Sequence, residues 1–400
     1  MLLIAMPFLF FSISSIFSYE YPGFPDSKLY VFVLLTLFLL FFILHIFVAK
    51  INALLFHYLF PFFILFIGLL STVFYNLDLG NFFVQYILFV LPAIFFSIYI
   101  GKYVPIYIFS NYFLFFCLIN SLAYALVISK MVSLSPNELI SFFGGGHYQG
   151  FAYGVSLTYL LMLIFFLFYS FSSSFWFKSS FILVFISHWI EVLLSGARGA
   201  FLVILVGTFV LLFIKFKFLK IFKIIIVSAF FCSLIIYIFS FLNFEFFDRF
   251  LLGFERVFSY LSIEGIDMSK TSNREDFYDL AIRLIKEKPF TGYGIFRYQK
   301  FMGAYPHNFF LEVLLQGGIC LLFLWMLVLT FFFVRLKRLI NSNSLHYFIL
   351  APVIYSSIQL MFSGSYLLEP LFWFSICYVF NVGREPVVLS NSRPRHIFCK

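Results

Sequence analysis

The chain alternates long apolar runs with short polar breaks. Cut at those breaks, it yields about twelve runs, at roughly 2–18, 29–48, 52–72, 82–100, 104–128, 151–170, 179–194, 200–214, 221–242, 309–334, 346–363 and 367–382. A helix rising about 1.5 Å per residue needs about 20 apolar residues to cross the hydrocarbon core of a bilayer. Lipid offers the backbone no hydrogen-bond partners, so each run is expected to be helical. The first run lacks a basic flank and a small-residue cleavage site, and reads as a retained span rather than a signal peptide. The expectation is an all-α, polytopic integral membrane protein with about twelve transmembrane helices, residues 1–400 forming a single transmembrane domain.

One polar stretch departs from the pattern. Residues 243–307 carry nine acidic and nine basic side chains, over half of the 17 acidic residues in the chain. A segment this long and mixed should fold on the membrane surface. Ser272-Asn273-Arg274-Glu275 has the form of a capping box, S-x-x-E. An amphipathic run follows, with Phe277, Leu280, Ala281, Leu284 and Ile285 on one face, and Pro289 ends it. Thr291-Gly292-Tyr293-Gly294 then predicts a turn. The large loop is thus expected to contain a surface helix.

Composition agrees with the spans. Hydrophobic residues make up 63% of the chain and charged residues 11%, against about 25% charged in a soluble domain. The net charge of +9 does not point to nucleic acid, because the basic residues form short clusters between apolar runs rather than a stripe. Alternate breaks collect Lys50, Lys102, Lys178, Lys215, Lys217, Lys220, Lys223, Arg335, Lys337 and Arg338, while the opposite short breaks hold only Lys28, Lys130 and Arg198. The positive-inside rule then puts both termini in the cytoplasm and the 243–307 loop outside. The five cysteines have no metal spacing and imply no disulfide framework.

Several residues could carry chemistry. Ser195-Gly196-Ala197-Arg198-Gly199-Ala200 falls at an outer junction, where a guanidinium can bind phosphate oxygens in bidentate fashion and small neighbours allow close approach. A snorkelling Arg in a tight hairpin fits equally well. Pro306-His307-Asn308 and then Glu312 mark the loop's return to the membrane. His307 suits proton transfer near neutral pH or an interfacial anchor, and a carboxylate at the depth of Glu312 is costly enough to suggest function. Arg274 opens the loop helix, an unfavourable place for a cation unless a ligand meets it. His188 and Glu191 share a helix face, and Glu191 could pair with His188 or Arg198. Gly144 to Gly150, containing His147 and Tyr148, lacks the ending of a nucleotide-binding loop and offers an aromatic that could touch sugar. No acidic pair of hydrolase type and no metal-ligand cluster is visible.

In order and spacing, Ser195–Ala200, Asn273-Arg274, Pro289–Gly294 and Pro306–Glu312 with Gly317-Gly318 beyond resemble the O-antigen polymerase and O-antigen ligase superfamily of bacterial envelopes. The resemblance covers roughly residues 190–320. It implies a GT-C-type glycosyltransferase of the inner membrane, active on the periplasmic side without a metal. Its donor would be an oligosaccharide on undecaprenyl pyrophosphate. By carry-over, Arg198 and Arg274 bind the pyrophosphate, and His307 activates or orients the acceptor hydroxyl; Arg283, Asn308, Glu312, His147 and Tyr148 are expected to contact substrate. Arg283 and Gly294, with ten residues between them, and the Gly146–Gly150 stretch favour a polymerase over a ligase. A flippase and a chain-length regulator of the same pathway are expected partners. A flippase is also the alternative identity, but it calls for mid-span charges that are few here.

Overall fold

The computed structural model describes residues 55–103, 114, 117–122, 124, 148–169, 175–223, 253–255, 257, 261–262, 265–266 and 274–382. The runs expected at 2–18 and 29–48, most of 104–128 and most of 221–242, and His147, lie outside them. The described elements are α1 (Leu55–Tyr75), α2 (Gly80–Gln85), a π-turn (Tyr86–Val90), α3 (Leu91–Tyr103), α4 (Tyr148–Phe168), α5 (Phe175–Ser195) and α6 (Arg198–Lys215). After a two-residue hairpin, β1 (Leu261–Ser262) with β2 (Gly265–Ile266), come α7 (Arg274–Glu287), α8 (Gln299–Met302) and α9 (Phe309–Ser342). A 3-10 turn (Ser344–Ile349) leads into α10 (Leu350–Phe362), and α11 (Pro370–Asn381) follows.

Apart from that hairpin, the described residues build a helical, multi-pass membrane protein. Five helical stretches among them are long and apolar enough to cross a bilayer: Gly80–Ile98, Gln149–Phe168, Arg198–Lys215, Phe309–Ser342 and Ser344–Phe362. Shorter apolar helices accompany them at Phe63–Tyr75, Ser179–Ser195 and Pro370–Asn381. Seven of these eight helices fall on runs read from the sequence, and the eighth covers the second half of 52–72.

The centre of the bundle is α4 against α6 and α10, with α5 beside α4 and α11 bridging α3, α9 and α10. Close approach comes from small residues. Gly207 on α6 sits where a Cβ would lie 2.5 Å from Leu160 of α4 and 3.2 Å from Ile354 of α10. Association inside lipid gains little from the hydrophobic effect, so packing and interhelical hydrogen bonds hold the helices. Ser156 of α4 donates to the Ala200 carbonyl of α6 at 3.0 Å, and Tyr159 meets Thr208 at 2.9 Å. The outer surface stays apolar, as Phe323, Leu324 and Phe331 of α9 show by their exposure; in water such a face would aggregate.

The loop helix forms as its pattern requires. Ala281 and Leu284 of α7 are buried with Tyr293, Tyr298, Met302 and Leu315, and Phe277, Leu280 and Ile285 flank them. The loop is also pinned to the bundle. Phe296 is 1% exposed, lies edge-on to Phe82 at 4.4 Å, and has φ +67°, a costly backbone for a bulky residue.

Candidate functional site: a turn where two motifs meet

The Ser195–Ala200 motif makes the hairpin from α5 to α6. The Ser195 hydroxyl donates to the Val192 carbonyl at 2.7 Å and accepts from the Ala197 amide at 3.3 Å. Gly196 takes φ +63°, Ala197 is extended, and Arg198 becomes the first residue of α6. Arg198 is half-buried, and a helix N-terminus already favours anions, so the two positive features coincide. Gly199 has a specific reason to be glycine: a Cβ there would lie 2.0 Å from the Tyr153 hydroxyl. That hydroxyl is in turn 2.7 Å from Ser363 Oγ, in the turn between α10 and α11.

The second motif returns the loop to the membrane. His307 has φ +54°, in the sparsely populated left-handed region, and its ring centroid is 4.5 Å from that of Tyr305. The next residue, Asn308, caps α9, its side-chain oxygen accepting from the amides of Phe310 and Leu311 at 3.0 and 3.2 Å. Here Asn308 serves as a helix cap, which accounts for its side chain without a substrate.

Glu312 is buried and saturated with donors. Its carboxylate accepts from Tyr298 at 3.0 Å, Gln316 at 3.4 Å, Ser365 at 2.5 Å and the Tyr366 amide at 3.3 Å. Tyr366 also hydrogen-bonds Gln316. Burial and the neighbouring Glu312 charge push the Tyr298 phenol well above its ordinary range, so it stays a donor. Glu312 therefore fixes the α9 start against the α10–α11 turn.

The third motif pair explains itself by docking. α9 is broken at Gly317 (φ −140°) and Gly318 (φ +61°). Into that break the Pro289–Gly294 turn inserts, with Tyr293 and Gly294 amides donating to the carbonyls of Leu315 and Gln316 at 2.8 and 2.7 Å. In return the Ile319 amide donates to the Pro289 carbonyl at 2.8 Å. Broken helices survive at membrane depth only where protein satisfies the freed backbone groups.

The structure thus brings the Arg198 hairpin and the His307–Glu312 segment to one short turn, Ser363–Tyr366. Lys215 and Arg335 lie toward the far ends of α6 and α9 from that turn. Arg335 donates to the carbonyls of Val379 and Val382 at 2.7 and 3.2 Å, and Lys215 lies over the Phe168 ring. Arg274 opens α7 and Arg283 is exposed on it; the side chains of Arg274 and Tyr148 lie outside what the structure describes. Glu191 pairs with His188, Oε2 to Nδ1 at 3.0 Å, both fully buried. Ser121 meets the other ring nitrogen at 3.1 Å.

Sequence reasoning missed the 363–369 turn, Tyr153 and Tyr298. A signal existed: Glu369 is a carboxylate inside the apolar run 367–382, and such residues are expensive unless used.

No curated protein and no solved structure matches the chain. Residues 181–326 match the family model described as O-antigen ligase (Wzy_C), a family that covers both polymerases and ligases. Its members are membrane glycosyltransferases that use lipid-linked glycans. Arg198, Arg274 and His307 all fall within this segment, which is similar to the O-antigen ligase family.

Proposed function

We propose that this protein is an O-antigen polymerase of the bacterial inner membrane, joining undecaprenyl-pyrophosphate-linked repeat units on the periplasmic face. The observation that carries the reading is the convergence of the Arg198 hairpin and the His307–Glu312 segment on the Ser363–Tyr366 turn, within a chain whose matching segment is similar to the O-antigen ligase family. Segregation of Lys215 and Arg335 to the far end supports an outward-facing site. The spacing of Arg283 and Gly294 supports polymerase over ligase.

In the reaction, the bond from the anomeric carbon to the pyrophosphate oxygen breaks as the acceptor hydroxyl oxygen bonds to that carbon. Negative charge grows on the pyrophosphate, and Arg198 and Arg274 stabilise it in a site of low dielectric. The acceptor's proton passes to His307 as the new bond forms. Arg283 holds outlying phosphate or sugar groups, and Glu312 and Asn308 hold the His307 segment in place. A single displacement inverts the anomeric configuration.

The test is the lipopolysaccharide ladder of a deletion strain, complemented with variants. A core bearing one repeat unit is the expected result. Bare core with long polymer stranded on the lipid carrier would mean ligase. Units trapped on the cytoplasmic face would mean flippase. Arg198→Ala and His307→Ala should each reduce polymer by about a hundredfold or more at normal membrane abundance; near-normal polymer from both would overturn the site.

A further inference from the structure

The reaction above needs two groups held at a fixed separation, Arg198 on the leaving pyrophosphate and His307 on the acceptor hydroxyl. They belong to different elements, since Arg198 opens α6 and His307 precedes α9. One side chain of a third helix, Tyr153 of α4, touches the surroundings of both. Its hydroxyl fills the space that a Cβ on Gly199 would need, lying 2.0 Å from that position. One turn further along α4, Ser156 donates to the Ala200 carbonyl at 3.0 Å. Helix α4 thus grips the start of α6 at the two residues that follow Arg198.

The same Tyr153 hydroxyl is 2.7 Å from Ser363 Oγ in the α10–α11 turn. Two residues on, Ser365 donates to one Glu312 oxygen at 2.5 Å, and the Tyr366 amide donates to the other at 3.3 Å. The Glu312 amide donates to the Asn308 carbonyl at 2.9 Å, and Asn308 follows His307. A continuous series of contacts therefore runs from the residue after Arg198 to the residue after His307. Hydrogen bonds tolerate little change in length or angle, so this series holds the two segments in register. Helix packing alone does not require a bond at this place. Further along α4, Tyr159 meets Thr208 of α6 at 2.9 Å and ties the same two helices without touching the hairpin or the turn.

We propose that Tyr153 is a positioning residue for the transfer, its hydroxyl setting the separation of Arg198 and His307 by spanning Gly199 and Ser363. The inference rests on the proposed function and deepens it, because Tyr153 acts through the two segments and touches neither donor nor acceptor. Gly199 is then glycine to admit the hydroxyl, and Ser363 is its anchor.

The test uses full-length protein in proteoliposomes with a synthetic lipid-linked oligosaccharide. A misplacement of about 1 Å can cost about a hundredfold in rate, so Tyr153→Phe should lower kcat by about tenfold or more while KM for the donor moves by less than about threefold. Ser363→Ala should lower kcat alike, Ser363→Thr should restore it, and the Tyr153→Phe/Ser363→Ala double variant should be no slower than the worse single one. Gly199→Ala, which must displace the hydroxyl, should cost less in the Tyr153→Phe background than in wild type. Tyr159→Phe is the control for general loosening: it should lower the unfolding temperature and keep kcat. Losses that multiply in the double variant, or an equal fall of kcat in Tyr159→Phe, would overturn the role. So would a raised KM at unchanged kcat, which would put the hydroxyl on the donor, or unchanged kinetics in Tyr153→Phe, which would leave the bond a structural clamp. If Tyr153→Phe fails to accumulate, Ser363→Ala against Ser363→Thr decides. Wild type that transfers no glycan at all would overturn the proposed function instead, so the two failures are distinguishable.

Discussion

At the residue scale the sharpest feature is the backbone of His307. A non-glycine residue with φ +54° costs about 1–3 kcal/mol when its surroundings force it there. The Asn308 cap and the Glu312 network do the forcing, since both fix the chain immediately after it. Strain kept at one residue beside a family motif is what a positioned catalytic group looks like. The expected outcome is that His307→Gly relieves the backbone, leaves thermal stability in detergent equal or higher by about 1 kcal/mol, and abolishes transfer. His307→Ala removes the same imidazole but keeps the strain, so it should be the less stable of the two. If His307→Gly unfolds the protein, the imidazole is a structural anchor and its place in the reaction is lost. Composition and motif order pointed to this residue. Its conformation was not legible, because a positive φ at histidine has no local sequence signal and is imposed through Glu312 by contacts 53 and 54 residues further along the chain, at Ser365 and Tyr366.

At the scale of elements, the amphipathic pattern of α7 and the length of most apolar runs were readable because each depends on local periodicity and length. The break in α9 was not. Gly317-Gly318 alone is a weak sign of a kink, and only docking of the Pro289–Gly294 turn shows why two separated glycine motifs need each other. At Gly318 a Cβ would lie 2.3 Å from the Phe290 carbonyl carbon, and at Gly292 one would lie 2.6 Å from Gln316 and Gly317 backbone. Gly318→Ala must therefore both strain the backbone, at about 1–3 kcal/mol, and overpack the dock, at about 1–3 kcal/mol more. The unfolding temperature should fall, and the loop turn should become accessible to protease at Lys288. Gly303, also at positive φ (+71°) but with open space around its Cβ position, provides the control. Gly303→Ala pays only the backbone cost and should leave the loop protected.

At the scale of the whole molecule, the ordering of ends is what turns scattered motifs into a site. The alternation of basic breaks predicts such an ordering, and the packing separates two sets of residues. Gly199, Ser363, Glu312 and His307 gather at one end of the bundle, while Arg335, Lys215 and the Tyr169 hydroxyl bound to the Leu345 carbonyl gather at the other. If the basic end is cytoplasmic, residues of the two ends must differ in access from outside the inner membrane. In a cysteine-free background, Gly364→Cys and Gly303→Cys should react with a membrane-impermeant maleimide added to spheroplasts. Lys337→Cys and Ser342→Cys should react only after permeabilisation. The reverse pattern would put Arg198 and His307 in the cytoplasm, where a glycan already flipped outward cannot reach them. A polymerase or ligase of lipid-linked units would then be ruled out whatever the motifs say. Labelling of both ends from outside would instead remove the barrier on which the twelve-run topology depends.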